Sequence, residues 1–315
     1  MHFLHKGNVS YKERMYTDAM RFYREAIGID SSFAQAYNNL GIVYQKMGRD
    51  DDAIKAFTDC IAADPTFYEA YYYRGNARYE IRDYAGSLID YNTATGNYQP
   101  VSAIHFGKGA TFFSQYKYDS AAHNFELALT ANRENVETLI NLGTVWLFQN
   151  KFEDAKSMGN KALFLDSASA DAMNLLGMVC MNQGDYQNAM IHFNDGLRIS
   201  PDNAYLLNNK GFAQLMTGEY DQALANINES IGINFENPWA YRNKGIWYLK
   251  TGEDDNAIRL LRQALDMDSL LPYAHFYLGL AYLEKSQLSE ACEAFSISSA
   301  SKETEGEEAF RKYCK

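Results

Sequence analysis

Apolar positions along this chain fall into two alternating helical registers. In the stretch Asn38 to Pro65, Leu40, Gly41 and Tyr44 share a stripe with Tyr37 just upstream, and Ala53 and Phe57 lie four apart on a second stripe. The polar run Met47-Gly48-Arg49-Asp50 reads as the turn between two helices, and Asp64-Pro65 as the stop after the second. The pattern predicts a helical hairpin, and it recurs. Glycine returns at Gly7, Gly41, Gly75, Gly109, Gly143, Gly177, Gly211, Gly245 and Gly279, each thirty-four residues after the last with no insertion. The sixth copy places Leu176, Gly177, Gly184, Tyr186, Ala189, Phe193 and Pro201 at matching positions. A strict period of this length marks a stack of identical supersecondary units. The anchor glycine is expected to let a neighbouring helix approach closely, a small residue facing a large one.

Around Gly41 the set is an aromatic four before, leucine one before, tyrosine three after, alanine twelve after, an aromatic sixteen after and proline twenty-four after, Tyr37, Leu40, Tyr44, Ala53, Phe57 and Pro65, and the other copies keep parts of it. This set resembles the tetratricopeptide repeat, and the resemblance covers nearly the whole chain. It implies an all-α fold, a right-handed α-α superhelical solenoid of helix-turn-helix hairpins, with first helices lining a concave wall. Residues 1–302 are expected to form a single array of nine repeats, and 303–315 a C-terminal capping helix whose acids precede Arg311, Lys312 and Lys315 as a helix dipole favours. Departures are local: Lys6 stands where leucine is usual, Ser87 where alanine is, Gly159 where an aromatic is, and Ser230 and Ser298 replace alanines.

Composition narrows the function classes. A net charge of -11 and a pI near 5.1 argue against nucleic acid, and the absence of an apolar run near eighteen residues argues against direct membrane insertion. Cys60, Cys180, Cys292 and Cys314 show no CxxC or metal-ligand spacing. They read as unpaired thiols, Cys60 in place of a core alanine, which leans towards a reducing, cytoplasmic setting. Phe3 already occupies a packing position with no capping residue before it, so an upstream leader or anchor is expected to have preceded it.

Candidate chemistry is sparse. His2, His5, His105, His123, His192 and His275 are scattered over different repeats, and Gly107-Lys108-Gly109 follows no strand, so neither a metal centre nor a phosphate loop is expected. Cofactor and catalytic site are both read as none. What remains is the groove face, formed by positions six and three before and one, four and five after each anchor. Met178, Phe212, Ile246 and Leu280 recur one after the glycine, and Tyr79, Phe113, Met181 and Leu215 four after. Thirty-four-residue spacing makes such residues lateral neighbours, so an exposed apolar strip is expected, the alternative for the second set being inter-helix core. Asn38, Asn39, Asn141, Asn174, Asn208, Asn209 and Asn243, two or three before the glycine, with Asn76 and Arg242 on the same face, are candidates for holding a peptide backbone. A lysine and arginine clamp for a terminal carboxylate, a device known in the family, is missing: Asn8 and Asn39 match two positions, but Leu4, Glu69 and Tyr73 stand where bases are required. The expected role is a non-enzymatic scaffold whose groove takes a peptide or amphipathic helix. The alternatives are a self-associating building block, or the regulatory part of a longer protein.

Overall fold

A computed structural model describes residues 1–314, and every regular element among them is a helix. The first compact unit, residues 1–161, holds α1 (His2–Lys12), α2 (Tyr16–Ile29), α3 (Ala34–Lys46), α4 (Asp50–Ala63), α5 (Tyr68–Glu80), α6 (Tyr84–Ala94), α7 (Val101–Ser114), α8 (Tyr118–Ala131), α9 (Val136–Phe148) and most of α10 (Phe152–Leu165). The second unit, from Ala162, holds the end of α10 with α11 (Ala170–Asn182), α12 (Tyr186–Ile199), α13 (Ala204–Thr217), α14 (Tyr220–Ile233), α15 (Pro238–Thr251), α16 (Asp254–Met267), α17 (Ala274–Glu284), α18 (Leu288–Ala300) and α19 (Thr304–Tyr313). Within each unit consecutive helices pack as antiparallel hairpins, and first helices also touch the first helix of the next repeat, as α3 does α5 and α13 does α15.

The thirty-four-residue period has a direct steric cause. A Cβ on Gly41 would stand 2.5 Å from the Phe57 ring, one on Gly109 would stand 2.7 Å from Phe125, and one on Gly279 would stand 2.5 Å from Phe295. Except at Gly143, whose counterpart sixteen later is Gly159, each anchor is therefore the socket for the side chain sixteen later, which is buried. Adding a methyl there overpacks the core at a cost of about 1–3 kcal/mol. Where the socketed ring is tyrosine, the residue after the glycine is asparagine. Tyr23 donates to Asn8 Oδ1 at 2.8 Å and Tyr91 to Asn76 Oδ1 at 2.7 Å. Burial pushes the Tyr23 hydroxyl up to about 12, so it stays a donor.

A second register position is equally strict. The residue seven after each anchor closes the turn with a left-handed backbone: Arg14, Gly48, Arg82, Tyr116, Asn150, Gly184, Gly218, Gly252 and Ser286 all have φ between 57° and 85°. Such a residue frees its amide to cap the preceding helix, as Gly218 does onto Leu215.

The third repeat carries a buried ion cluster. Asp90 on α6 has no solvent exposure and accepts from Arg74 Nε and Nη2 at 2.9 and 2.7 Å and from Arg78 Nη1 at 2.8 Å, tying α6 to α5. Its helix ends early, and the connection through Gly96 and the cis Gln99–Pro100 bond lays Tyr98 against Tyr72, ring centroids 5.6 Å apart.

At the far end of unit 2, α19 packs on α18 and α17. Its Gly306 lies against Ser298, Tyr313 stacks on Phe295, and Glu303 accepts from the Tyr273 amide and from Ser298 Oγ. Cys314 is bonded to Cys292. This corrects the reading of the two as unpaired thiols: the pair is twenty-two residues apart with no motif, and only the docking of α19 on α18 brings it together. Cys60 does fill a core position, where burial pushes its thiol up to about 12 and leaves it unreactive.

Candidate functional site

The first-helix faces of the two units carry different surfaces. In unit 1 a cleft of ≈ 320 Å³ opens between α1 and α3, lined by His5, Asn8, Val9, Tyr11, Lys12, Tyr23, Asn39 and Ile42. Asn8, Tyr11, Lys12 and Ile42 stand one, four or five after their anchors, so the groove register and the observed cleft coincide. Asn39 Nδ2 donates to Asn8 Oδ1 at 2.9 Å, beside the Tyr23 hydroxyl on the same oxygen, which fixes both amides at the cleft floor. Lys12 and His5 are exposed at its rim, and no carboxylate lines it.

The positions that a carboxylate clamp would need are differently occupied. Leu4 is buried in the core. Burial raises the Glu69 carboxyl above the usual range, a hydrogen bond with Tyr98 opposing it, and Tyr73 stacks on Phe57 at 5.9 Å.

In unit 2 the asparagines form a polar spine. Asn209 Nδ2 donates to Asn174 Oδ1 at 2.9 Å, Asn208 Nδ2 to Asn209 Oδ1 at 3.3 Å, and Asn243 Nδ2 to Asn208 Oδ1 at 2.9 Å. Arg242 continues it, with Nη2 donating to Asn243 Oδ1 at 2.9 Å and Nη1 to the Pro272 carbonyl at 2.9 Å, its guanidinium 4.6 Å over the Trp239 ring. The spine joins α11, α13 and α15 to the loop before α17.

Several candidates are thereby moved from surface to interior. Ile246 is 0% exposed and Leu215 is also buried, both in one cluster with Phe212, Trp247 and Tyr277 packed against it, so the expected exposed strip is broken at α15. The reason is the close approach of successive first helices: residues one and four after the anchor fill the seam between them. Asn38, Asn208, Asn243 and Arg242 are buried as well, the Asn38 backbone lying against the Cys60 thiol. Asn141 turns back onto its own helix, donating to the Glu137 carbonyl at 2.9 Å. The Tyr79 hydroxyl shares a hydrogen with Ser114 at 3.2 Å, while the Phe113 ring wedges against Tyr118 and Phe148. Half-buried and reachable candidates are Asn39 and Asn76 in unit 1 and Asn174, Met178, Met181, Asn209, Phe212 and Leu280 in unit 2.

Phe113, Tyr118 and Phe148 back a broader concavity of ≈ 680 Å³ at the turns of repeats four and five, lined by Tyr116 to Ser120 and by Phe148, Gln149 and Lys151. Sequence reasoning passed over it because turn residues lie outside both helix registers. Among the described residues no group of three or more His, Cys, Asp and Glu is placed to hold a metal, and no helix is long and apolar enough to cross a membrane.

Stacked helical hairpins that present side chains rather than a convergent reactive cluster define the class of helical-repeat interaction scaffolds. Models described as "Tetratricopeptide repeat" match residues 34–67, 140–204, 192–225 and 242–300, and one described as "TPR repeat" matches 7–48. The chain belongs to the tetratricopeptide repeat family. It is 35% identical over 86 residues to Hsp70-Hsp90 organizing protein 2 of Arabidopsis thaliana, which is 27% of this chain and 15% of that protein. It is likewise 35% identical over 89 residues to DnaJ homolog subfamily C member 7 of Homo sapiens, 27% of this chain and 18% of that one. The chain thus spans less than a fifth of these relatives. Among solved structures, a tetratricopeptide repeat protein from Parabacteroides merdae superposes with a TM-score of 0.66 at 17% identity, over 79% of this chain and 98% of that one. The Cut9-Hcn1 hetero-tetramer matches with 0.64 at 17% identity, over 95% and 59%. These likenesses concern the fold.

Proposed function

We propose that the chain is a non-enzymatic adaptor that takes a peptide or amphipathic helix of a protein partner on its first-helix faces. The observation that carries this reading is the ≈ 320 Å³ cleft whose lining residues, Asn8, Tyr11, Lys12 and Ile42, occupy the groove register, with Asn39 fixed at its floor. It offers an apolar wall, two oriented amides and a cationic rim, which suits a segment carrying an apolar anchor and an acidic or polar flank. Relatives named for organizing Hsp70 and Hsp90, or as a DnaJ homolog, agree with a protein partner in general. The occupants of the clamp positions, Leu4, Glu69 and Tyr73, speak against capture of a terminal carboxylate by paired bases. In unit 2 the reachable set Asn174, Met178, Asn209 and Phe212 is a second contact surface for the same kind of ligand.

The Cys292–Cys314 bond favours a setting in which thiols become oxidised over a reducing cytoplasm. Residues 1–302 act as one repeat array with α19 as its closing helix.

Affinity capture from a native extract tests the adaptor reading, using the intact chain beside a Lys12→Glu variant and a Phe212→Asp variant. A protein retained by the intact chain and lost with either variant, circular dichroism being unchanged, supports it. Equal retention by all three would overturn it.

A further inference from the structure

Repeats six to eight leave large apolar side chains uncovered along one edge, where second helices hand over to the next first helix. Ile199 and Ile233 end α12 and α14, Phe235 and Leu270 stand in the following loops, and Tyr205 and Tyr273 open α13 and α17. Phe235 is 67% exposed and Leu270 62%. Thirty-four-residue spacing makes these loops lateral neighbours, so the six side chains fall on one edge.

The exposure is held in place by the local backbone. Asn234 Oδ1 accepts from the Glu236 amide at 3.1 Å, Asn237 Oδ1 from the Trp239 amide at 3.2 Å, and Asp268 Oδ1 from the Leu270 amide at 3.0 Å. These bonds pin the loops on both sides of Phe235 and directly at Leu270. In unit 1 the positions in register with Phe235 and Leu270 are Ser31, Pro65, Ser32 and Thr66, so the corresponding loops carry no large apolar side chain there.

Charge along the edge is predominantly negative, the one buried cation at its base, Arg242, being tied inward to the Pro272 carbonyl. Residues 195–206, 229–240 and 263–274 contain six carboxylates and one basic residue, Arg198, which is already paired with Asp195. Asp202, Glu229, Glu236 and Asp266 are exposed. An apolar strip rimmed by the exposed carboxylates of Asp202, Glu229, Glu236 and Asp266 is complementary to a segment with apolar residues on one side and lysine or arginine beside them. Three loops at roughly 10 Å per packed helix give a strip of roughly 20 Å, the length of about fourteen helical residues at 1.5 Å each.

We propose that this edge of unit 2 is a docking surface for a basic amphipathic helix of a partner protein, separate from the first-helix faces. The probe is a fourteen-residue Leu/Lys peptide with leucine at i, i+3, i+4 and i+7, titrated calorimetrically, alongside its Leu/Glu twin. The intact chain is expected to bind the Leu/Lys peptide at micromolar concentration and to ignore the twin. The exposed pair Phe235→Ser and Leu270→Ser should weaken binding at least tenfold with unchanged circular dichroism, half-molar salt should weaken it similarly, and Lys12→Glu should leave it unaltered. Equal affinity in the serine variant, binding of the Leu/Glu twin, or loss with Lys12→Glu alone would each overturn the proposal. So would sedimentation showing a dimer of the intact chain that the serine variant abolishes, since a second copy would then occupy the edge.

Discussion

In unit 1 the left-handed turn position is filled by Arg14, Gly48, Arg82, Tyr116 and Asn150; in unit 2 it is filled by Gly184, Gly218, Gly252 and Ser286. Side chains with a Cβ are strained in this conformation by about 1 kcal/mol or more, and glycine is not. Capping differs in the same sense. First helices α3 and α5 are entered from Phe33 and Phe67, which make no side-chain cap but pack on the core, whereas α11, α13 and α15, like α9 at the end of unit 1, are capped by Ser169, Asn203, Asn237 and Asn135 accepting from backbone amides, and α17 is not. The repeats are also joined by different chemistry. Unit 1 concentrates its polar tie in one buried ion cluster at Asp90, and unit 2 spreads its tie over the neutral amides of Asn174, Asn209, Asn208 and Asn243, ending on the Arg242 guanidinium. One register thus tolerates two ways of meeting the same backbone demands, by apolar packing around strained turns or by glycine and side-chain caps.

The contrast is broken most strongly at Asp90. Asp90→Ala leaves Arg74 and Arg78 without their shared carboxylate and is expected to cost about 3 kcal/mol, seen as early unfolding of unit 1 in denaturant while amide exchange in α11 to α18 is unchanged. Unit 2 has in addition a covalent tie at its far end. Cys314→Ser removes a bond closing a loop of twenty-two residues, worth about 3 kcal/mol in the chain-entropy account. Amide exchange in α19 should accelerate, and that in unit 1 should not.

Exchanging turn residues sharpens the comparison at smaller scale. Arg14→Gly should raise the stability of unit 1 by about 1 kcal/mol and Gly218→Ala should lower that of unit 2 by about the same, both read from denaturation midpoints. The smallest effect is a shared one. His105 and His275 stand four before their anchors, one in each unit, and burial depresses both imidazoles, with Lys108 and His123 adding to the fall at His105. A depressed folded value means that stability is fully present above the unfolded value of roughly 6.5 and is lost as pH falls below it. Both units should soften slightly between pH 7 and 5, and His105→Gln should flatten that slope in unit 1 alone.

The hairpin fold was legible because an anchor glycine and the bulky side chain sixteen later are one steric contact in eight of nine repeats, often enough to exclude chance. The pairing of Asn8 with Tyr23 and of Asn76 with Tyr91 was missed, although the signal was present, since asparagine follows the glycine only where the socketed ring is tyrosine. Exposure was not. Ile246 and Phe212 share a register position, yet one is wholly buried and the other half-buried, because the seam between first helices depends on the neighbouring Trp247 and Tyr277. Periodicity ranks faces of a helix but does not measure the gap between two helices. The disulfide escaped for a similar reason: α19 does not continue the period, so nothing in the register places Cys314 beside Cys292.

The most direct measurement is amide hydrogen exchange of the chain with and without the protein it retains. The adaptor account predicts new protection in the first helices, above all in α1 and α3 around Asn8, Lys12 and Asn39, with the second helix α4, which does not line the cleft, unchanged. Protection confined to second helices, or none in α1 and α3, would contradict it.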